Sequence, residues 1–246
     1  MLDHVGIRVS DREASERFYR TVLDAIGVPQ THSGDWYAEW DVFALGEATD
    51  EKPVTRRLHI AFAVPTRDAV HAFWTAGVEG GYRDDGEPGP RPQYGPDYYG
   101  GFLLDPDGNS AEAVTHDTPR RTMIDHLWLR VADVAAAKRF YETIAPHAGI
   151  RLGDDQPDRA QFLLGDDRLS GSFSLVAADA PTEHVHLAFA TTDDAAVHAF
   201  HEAATGGGHR DNGPPGERPE YHPGYYAAFA LDPGGNNVEV VNHHRS

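Results

Sequence analysis

Leu2-Asp3-His4-Val5-Gly6-Ile7-Arg8-Val9 alternates with a period of two, so an extended segment puts Val5, Ile7 and Val9 on one face and His4, Gly6 and Arg8 on the other. The period then becomes helical. Ala14, Phe18, Tyr19, Val22, Leu23 and Ile26 form an apolar stripe, with Ser10 or Asp11 as N-cap and Gly27 as the stop. Trp36 to Trp40 and Val42 to Leu45 read as short strands. Leu58 to Val64 is a second alternating strand, with Leu58, Ile60, Phe62 and Val64 on one face and His59, Ala61 and Ala63 on the other. A helix opened by Thr66 carries Val70, Phe73 and Trp74, and Gly77 is expected to end it. Gly80 to Tyr99, rich in Gly and Pro, predicts turns and loop with short extended pieces. The half closes on a strand end at Leu104, a tight Asp105-Pro106-Asp107-Gly108-Asn109 turn, and a strand carrying Glu112.

The pattern then runs a second time. Asp125 to Val131 matches Asp3 to Val9 at a shift of 122 (126 − 4), and Phe140-Tyr141 matches Phe18-Tyr19. Val185 to Ala190 matches Leu58 to Ala63 at a shift of 127 (186 − 59), as does the turn and strand ending in Glu239. More than half the positions from Gly80 to Val114 are identical in Gly207 to Val241. A repeat of this strength predicts two units of one fold, residues 1–116 and 123–246, joined by a linker at 117–122.

Composition narrows the chemistry. There is no cysteine, which excludes disulfides, thiolate nucleophiles and sulfur-ligated metal; any ion must be held by histidine and carboxylate. The net charge of −18 argues against nucleic acid and anionic membranes as partners. No run of roughly 18 apolar residues predicts a membrane span, and Met1-Leu2-Asp3-His4 lacks the features of a signal peptide, so a cytoplasmic protein is expected.

On this background three positions per half stand out: His4, His59 and Glu112, then His126, His186 and Glu239. All lie on predicted strands, and the histidines occupy the face opposite the large aliphatic residues. Two imidazoles and a carboxylate with further positions open suit Fe(II), Mn(II), Zn(II) or a similar divalent ion. Arg8 and Arg130 share that face and could hold an anionic substrate group. The motif Arg-Pro-x-Tyr-x-Pro-x-Tyr-Tyr supplies Tyr94, Tyr98 and Tyr99, repeated as Tyr221, Tyr225 and Tyr226. Of these, Tyr94 and Tyr221 are candidate proton donors and Tyr98 and Tyr225 candidate pocket residues. His222 is a candidate acid or base with no counterpart in the first half, where Gly95 stands. His243 and His244 are expected to face solvent.

The order His-x-x-x-x-Val, His-x-Ala-Phe and Asp-Pro-Asp-Gly-Asn-x-x-Glu resembles the vicinal oxygen chelate superfamily, which includes glyoxalase I, extradiol dioxygenases and bleomycin-resistance proteins. The resemblance covers nearly the whole chain, once per half. It implies an α+β fold in which each half is a pair of βαβββ modules forming a curled mixed sheet around a cavity. It further implies a 2-His-1-Glu centre in each half, binding Fe(II), Mn(II), Ni(II) or Zn(II), and a lyase, isomerase or dioxygenase acting on a small oxygen-chelating substrate. Glyoxalase I resembles this pattern but carries a further Glu, for which neither Val42-Phe43-Ala44-Leu45 nor Ser172-Phe173-Ser174-Leu175 has a counterpart. The alternative is a binding protein that sequesters a cationic drug in a groove furnished by Trp36, Trp40, Trp74 and Trp128, without metal. Single-domain relatives dimerise, so a monomer or a homodimer is expected.

Overall fold

The computed structural model describes residues 1–118, 120–165 and 167–244. Pro119 of the expected linker, and Asp166, Arg245 and Ser246 of the second unit, lie outside them. The first half runs β1 (Leu2–Val9), α1 (Arg12–Asp24), β2 (His32–Ser33), β3 (Tyr37–Trp40), β4 (Phe43–Glu47), then β5 (His59–Ala63), α2 (Arg67–Glu79), β6 (Arg83–Pro90), β7 (Tyr99–Leu104) and β8 (Ser110–Thr115). The second half repeats this as β9 (Ile124–Val131), α3 (Val134–Ala148), β10 (Arg151–Gln156), β11 (Arg159–Leu163), β12 (Ser172–Ala177), β13 (His186–Ala190), α4 (Asp194–Gly206), β14 (Arg210–Glu217), β15 (Tyr226–Leu231) and β16 (Asn237–Asn242). Each half is therefore two βαβββ modules, and the α+β class and tandem duplication stand. No helix among the described residues is long and apolar enough to cross a membrane.

What differs from the expectation is which modules share a sheet. Both sheets have eight strands, ordered β14-β15-β16-β13-β1-β4-β3-β2 and β10-β11-β12-β9-β5-β8-β7-β6. The first module of one half continues edge to edge into the second module of the other, through antiparallel pairs β1–β13 and β5–β9. The two modules of a single half instead pack back to back. Phe43 of β4 meets Phe62 of β5 edge-on at 5.7 Å between ring centres, and Phe173 of β12 lies 6.3 Å from Phe189 of β13. One continuous apolar core results, because the alternating aliphatic faces of both sheets look inward at each other and at the helices. The histidine-bearing faces are turned outward.

Local chemistry explains most boundaries. Asp11 caps α1, accepting from the Ala14 N–H at 2.9 Å. The Asp105–Asn109 turn is a polar clamp: Asp105 Oδ1 accepts from the Asp107 and Asn109 amides, while Tyr19 on α1 donates to Oδ2 at 3.0 Å. Asn109 accepts from Leu58 N–H and donates to Thr55 C=O, which locks the entry of β8 beside that of β5. The register is fixed there, with His59 beside Ser110 and Ala61 beside Glu112.

Two expectations are corrected. Gly77 does not end α2, which continues to Glu79; it is buried, and a Cβ there would come within 2.2 Å of Leu103 Cδ1, so the glycine permits close helix-to-sheet packing. Gly80 to Tyr99 holds a longer strand than expected: β6 and its counterpart β14 each run eight residues, with turns between Arg91 and Tyr98. Their prolines are tolerated because both are terminal strands of their sheets, paired on one side only.

Candidate metal centres and the family

The six candidate ligands converge in two sets, and each set draws on both halves. His59 and Glu112 meet His126; His186 and Glu239 meet His4. The within-half grouping is thus replaced, for the physical reason already given: β5 pairs with β9, and β13 with β1. In site one, His59 Nε2 lies 3.1 Å from Glu112 Oε2 and 3.3 Å from His126 Nε2, and the His126–Glu112 separation is 3.7 Å. In site two, His186 Nε2 lies 2.9 Å from Glu239 Oε2 and 3.1 Å from His4 Nε2, with 3.9 Å between His4 and Glu239. Ligands on one face of an ion at bonds of about 2.1 Å stand roughly 3.0–3.4 Å apart, so both sets are near the spacing a divalent ion requires.

The convergence is built by small residues. Ala61 lies between His126 and Glu112 in the sheet, and Ala188 between His4 and Glu239. With a methyl at the middle position, the two flanking side chains lean together over it. Both alanines stand in the His-x-Ala-Phe motif, two residues after its histidine.

The other ring nitrogens all have partners, and at three of the four rings these partners leave Nε2 bare. Asp125 Oδ1 lies 2.7 Å from His126 Nδ1, and Asp3 Oδ1 lies 2.8 Å from His4 Nδ1, so each aspartate accepts from Nδ1–H and leaves Nε2 bare. Ser110 Oγ donates to Asp85 at 2.8 Å and is left to accept from His59 Nδ1–H at 3.2 Å. At His186 the partner is Asn237 Nδ2, 2.6 Å from Nδ1, while Asn237 Oδ1 accepts from Asn212 Nδ2 at 2.8 Å; there Nδ1 is the acceptor, and His186 departs from the pattern of the other three rings. Burial pushes His59 and His186 below the usual imidazole range against the pull of Glu112 and Glu239, which favours the neutral, ligating form. At His4 burial is outweighed by the Asp3 hydrogen bond and the Glu239 and Asp3 charges, and its pKa rises.

Tyr98 and Tyr225, expected to line a substrate pocket, use their hydroxyls on the carboxylates of Glu112 and Glu239. Tyr98 donates to both Glu112 oxygens at 2.7 and 2.8 Å, and Tyr225 to Glu239 Oε1 at 2.6 Å. Burial and the adjacent carboxylates raise both phenols far above their ordinary range, which keeps them donors. Tyr94 and Tyr221 are half exposed, with rings tilted against Tyr98 and Tyr225 at 5.1 and 4.9 Å between centres. Tyr99 and Tyr226 point away and bond His71 and His198. Arg130 borders the cavity over site one and is anchored on the Arg57 carbonyl, whereas Arg8 lies across Gly46.

The outer partners of the two sites differ. Asp125 is held by His116 at 3.0 Å and Arg120 at 2.6 Å, which together with His126 keep its carboxyl far below the carboxylate range despite burial. Asp3 is held by His243 at 2.8 Å, and His243 Nδ1 meets His222 Nε2 at 2.8 Å. His222 therefore reaches site two through His243, Asp3 and His4, not by direct approach, and His243 is tucked inside where a solvent-facing residue was expected. The signal existed in the sequence, since His243 stands 127 positions after His116 (243 − 116).

The four tryptophans do not form a groove. Trp40 is fully buried in the core, Trp74 donates to Asp84 at 2.8 Å, Trp36 is exposed beside Tyr37, and Trp128 alone borders site one.

With this geometry the chain is placed by comparison. It belongs to the Glyoxalase/Bleomycin resistance protein/Dioxygenase superfamily, whose family model matches residues 1–113 and again 123–240. Its fold is that of glyoxalase I from Zea mays, at TM-score 0.68, 19% identity and coverage of 98% of this chain and 92% of that one. A mutant of the same maize enzyme gives TM-score 0.71 at 21% identity, covering 98% and 92%. A proposed dioxygenase from Bacillus subtilis subsp. subtilis str. 168 is similar at TM-score 0.67 and 14% identity, covering all of this chain and 86% of that one. No curated protein matches the chain in sequence.

Proposed function

We propose that the chain is a metal-dependent enzyme with two 2-His-1-Glu centres, each composed from both halves, acting on a small substrate that chelates through neighbouring oxygens. The observation that carries this reading is the double convergence: in each sheet two imidazoles and one carboxylate meet, every imidazole with a partner on its other nitrogen. A drug-sequestering role needs none of these six side chains. A divalent ion held there supplies Lewis acidity toward a bound oxygen, and Fe(II) would add O₂ chemistry. Ala44 beside Gly6 and Ser174 beside Trp128 occupy the strand positions where a fourth protein ligand could project, and neither offers a carboxylate, so coordination positions stay open for substrate. The protein's own groups then divide the work. Asp3 and Asp125 orient imidazoles, Tyr98 and Tyr225 hold the carboxylates, Arg130 faces an anionic substituent, and the Tyr94 and Tyr221 hydroxyls are placed to pass a proton at the mouths.

The composite arrangement makes the test specific. Native protein is expected to hold about two metal equivalents per chain, and His59→Ala and His186→Ala to lose about one each. The double variant His59→Ala/His126→Ala should lose one, because both residues serve site one, whereas His59→Ala/His4→Ala should lose both. Elemental analysis after exhaustive dialysis reads the ratio. Protein that takes up none of Fe, Mn, Ni, Co or Zn would end the metal reading and return sequestration to first place.

A further inference from the structure

The two centres are copies of one motif, yet their surroundings differ at one strand position. Two residues after the first histidine ligand stands Trp128 in site one and Gly6 in site two. The registers are equivalent: Trp128, His59 and Ser110 form one row across the sheet, and Gly6, His186 and Asn237 form the other. Each residue therefore projects, or fails to project, from the same point beside its centre.

The consequences are visible in both sites. The Trp128 ring lies 5.3 Å from His59, 6.1 Å from His126 and 5.3 Å edge-on from Tyr94, so it walls one side of site one. The cavity left over that centre measures about 260 Å³, at or below the roughly 300–1,000 Å³ of pockets that take drug-sized ligands. The His59 and His126 side chains are only 8% and 10% exposed. In site two a Cβ built on Gly6 would touch nothing closer than His186 at 3.4 Å, and the neighbouring strand adds only Ala44. His186 and His4 are 23% and 26% exposed there, more than twice the value at site one.

We infer that Trp128 is a specificity-determining residue and that the two centres take different sizes of one ligand class. Site one admits small oxygen chelators alone, and site two admits chelators with a bulky substituent, seated over Gly6 and Ala44. This deepens the metal-enzyme reading and rests on it. The ligands are of one chemical type because the donors are the same; the wall decides what may be attached to them.

The test uses the full chain loaded with Co(II), its metal content measured first, and two hydroxamates that chelate through the same pair of oxygens. Calorimetric titration is expected to give two equivalents of acetohydroxamate per chain but one of 2-naphthohydroxamate. Trp128→Gly should raise the naphthyl ligand to two equivalents. Gly6→Trp should lower it to none while two equivalents of cobalt and of acetohydroxamate remain. Two naphthyl equivalents in the native protein, or one still in Trp128→Gly, overturns the inference and leaves the metal reading intact. Failure to bind cobalt at all overturns the metal reading, and this inference falls with it.

Discussion

Asp125 and Asp3 do not touch the ion's position, yet they decide what His126 and His4 present to it. Each accepts from Nδ1–H, fixes the ring and leaves Nε2 as a lone-pair donor. Asp125→Asn removes the charge and lets an amide N–H face Nδ1, which favours the tautomer with the proton on Nε2. Metal affinity at site one should then weaken by about 10–100-fold, with site two unchanged. A competition titration against a chelating dye resolves the two sites, and equal affinity in the variant would show that the aspartate has no part in ligation. The six residues that converge could be read from the sequence because each sits in a short motif that recurs. Their partners could not, although Asp3-His4 and Asp125-His126 are adjacent pairs in plain sight. A residue next to a ligand in a strand normally points to the other face, and only the structure shows these carboxylates reaching back to the ring.

At the scale of strands, the centres depend on a row of three positions with the smallest in the middle. His126, Ala61 and Glu112 lie side by side, as do His4, Ala188 and Glu239. Ala61 and Ala188 are fully buried, so two added methyls have nowhere to go except between the ligands. Ala61→Val should abolish metal at site one at a stability cost of about 1–3 kcal/mol from overpacking, and leave site two loaded. Elemental analysis beside a thermal melt separates these effects; a folded variant with two equivalents of metal would show that the row tolerates a larger centre. Hydrophobic alternation made β1, β5, β9 and β13 legible, together with the helices and the turns that carry Asp105 and Asp232. It did not reveal β6 or β14, since Gly and Pro dominate Arg83–Pro90 and Arg210–Glu217 and no apolar alternation marks them. Those strands exist because a neighbour supplies hydrogen bonds on one side, which is a property of the sheet and not of the segment.

The exchange of modules between sheets is the property of the whole molecule that the letters could not disclose. Residues 1–116 and 123–246 read as two units, each with its own triad, and every strand needed for a sheet is present in either half. Which edges meet depends on the relative placement of modules that have the same pattern, so the within-half and cross-half pairings are equally consistent with the sequence. In the molecule, β1 finds β13 and β5 finds β9, and a half on its own carries His4 on one sheet and His59 with Glu112 on the other. Such a half has two unpaired strand edges and no complete site. Two copies of it, however, can repeat the observed pairing, β1 of one copy beside β5 of the other, and vice versa, with a two-fold axis between them. We therefore expect a fragment of residues 1–116 to form a dimer that binds one metal equivalent per fragment, each ion held by His4 of one copy and His59 and Glu112 of the other. Mixing a His4→Ala fragment with a His59→Ala fragment should restore one ion per heterodimer, at the edge where both surviving ligand sets meet, whereas either variant alone binds none. Sedimentation equilibrium with metal analysis reads both quantities together. A monomeric fragment holding a full equivalent of metal would mean that a half closes its own site, and that the cross-half sheets are not what builds these centres.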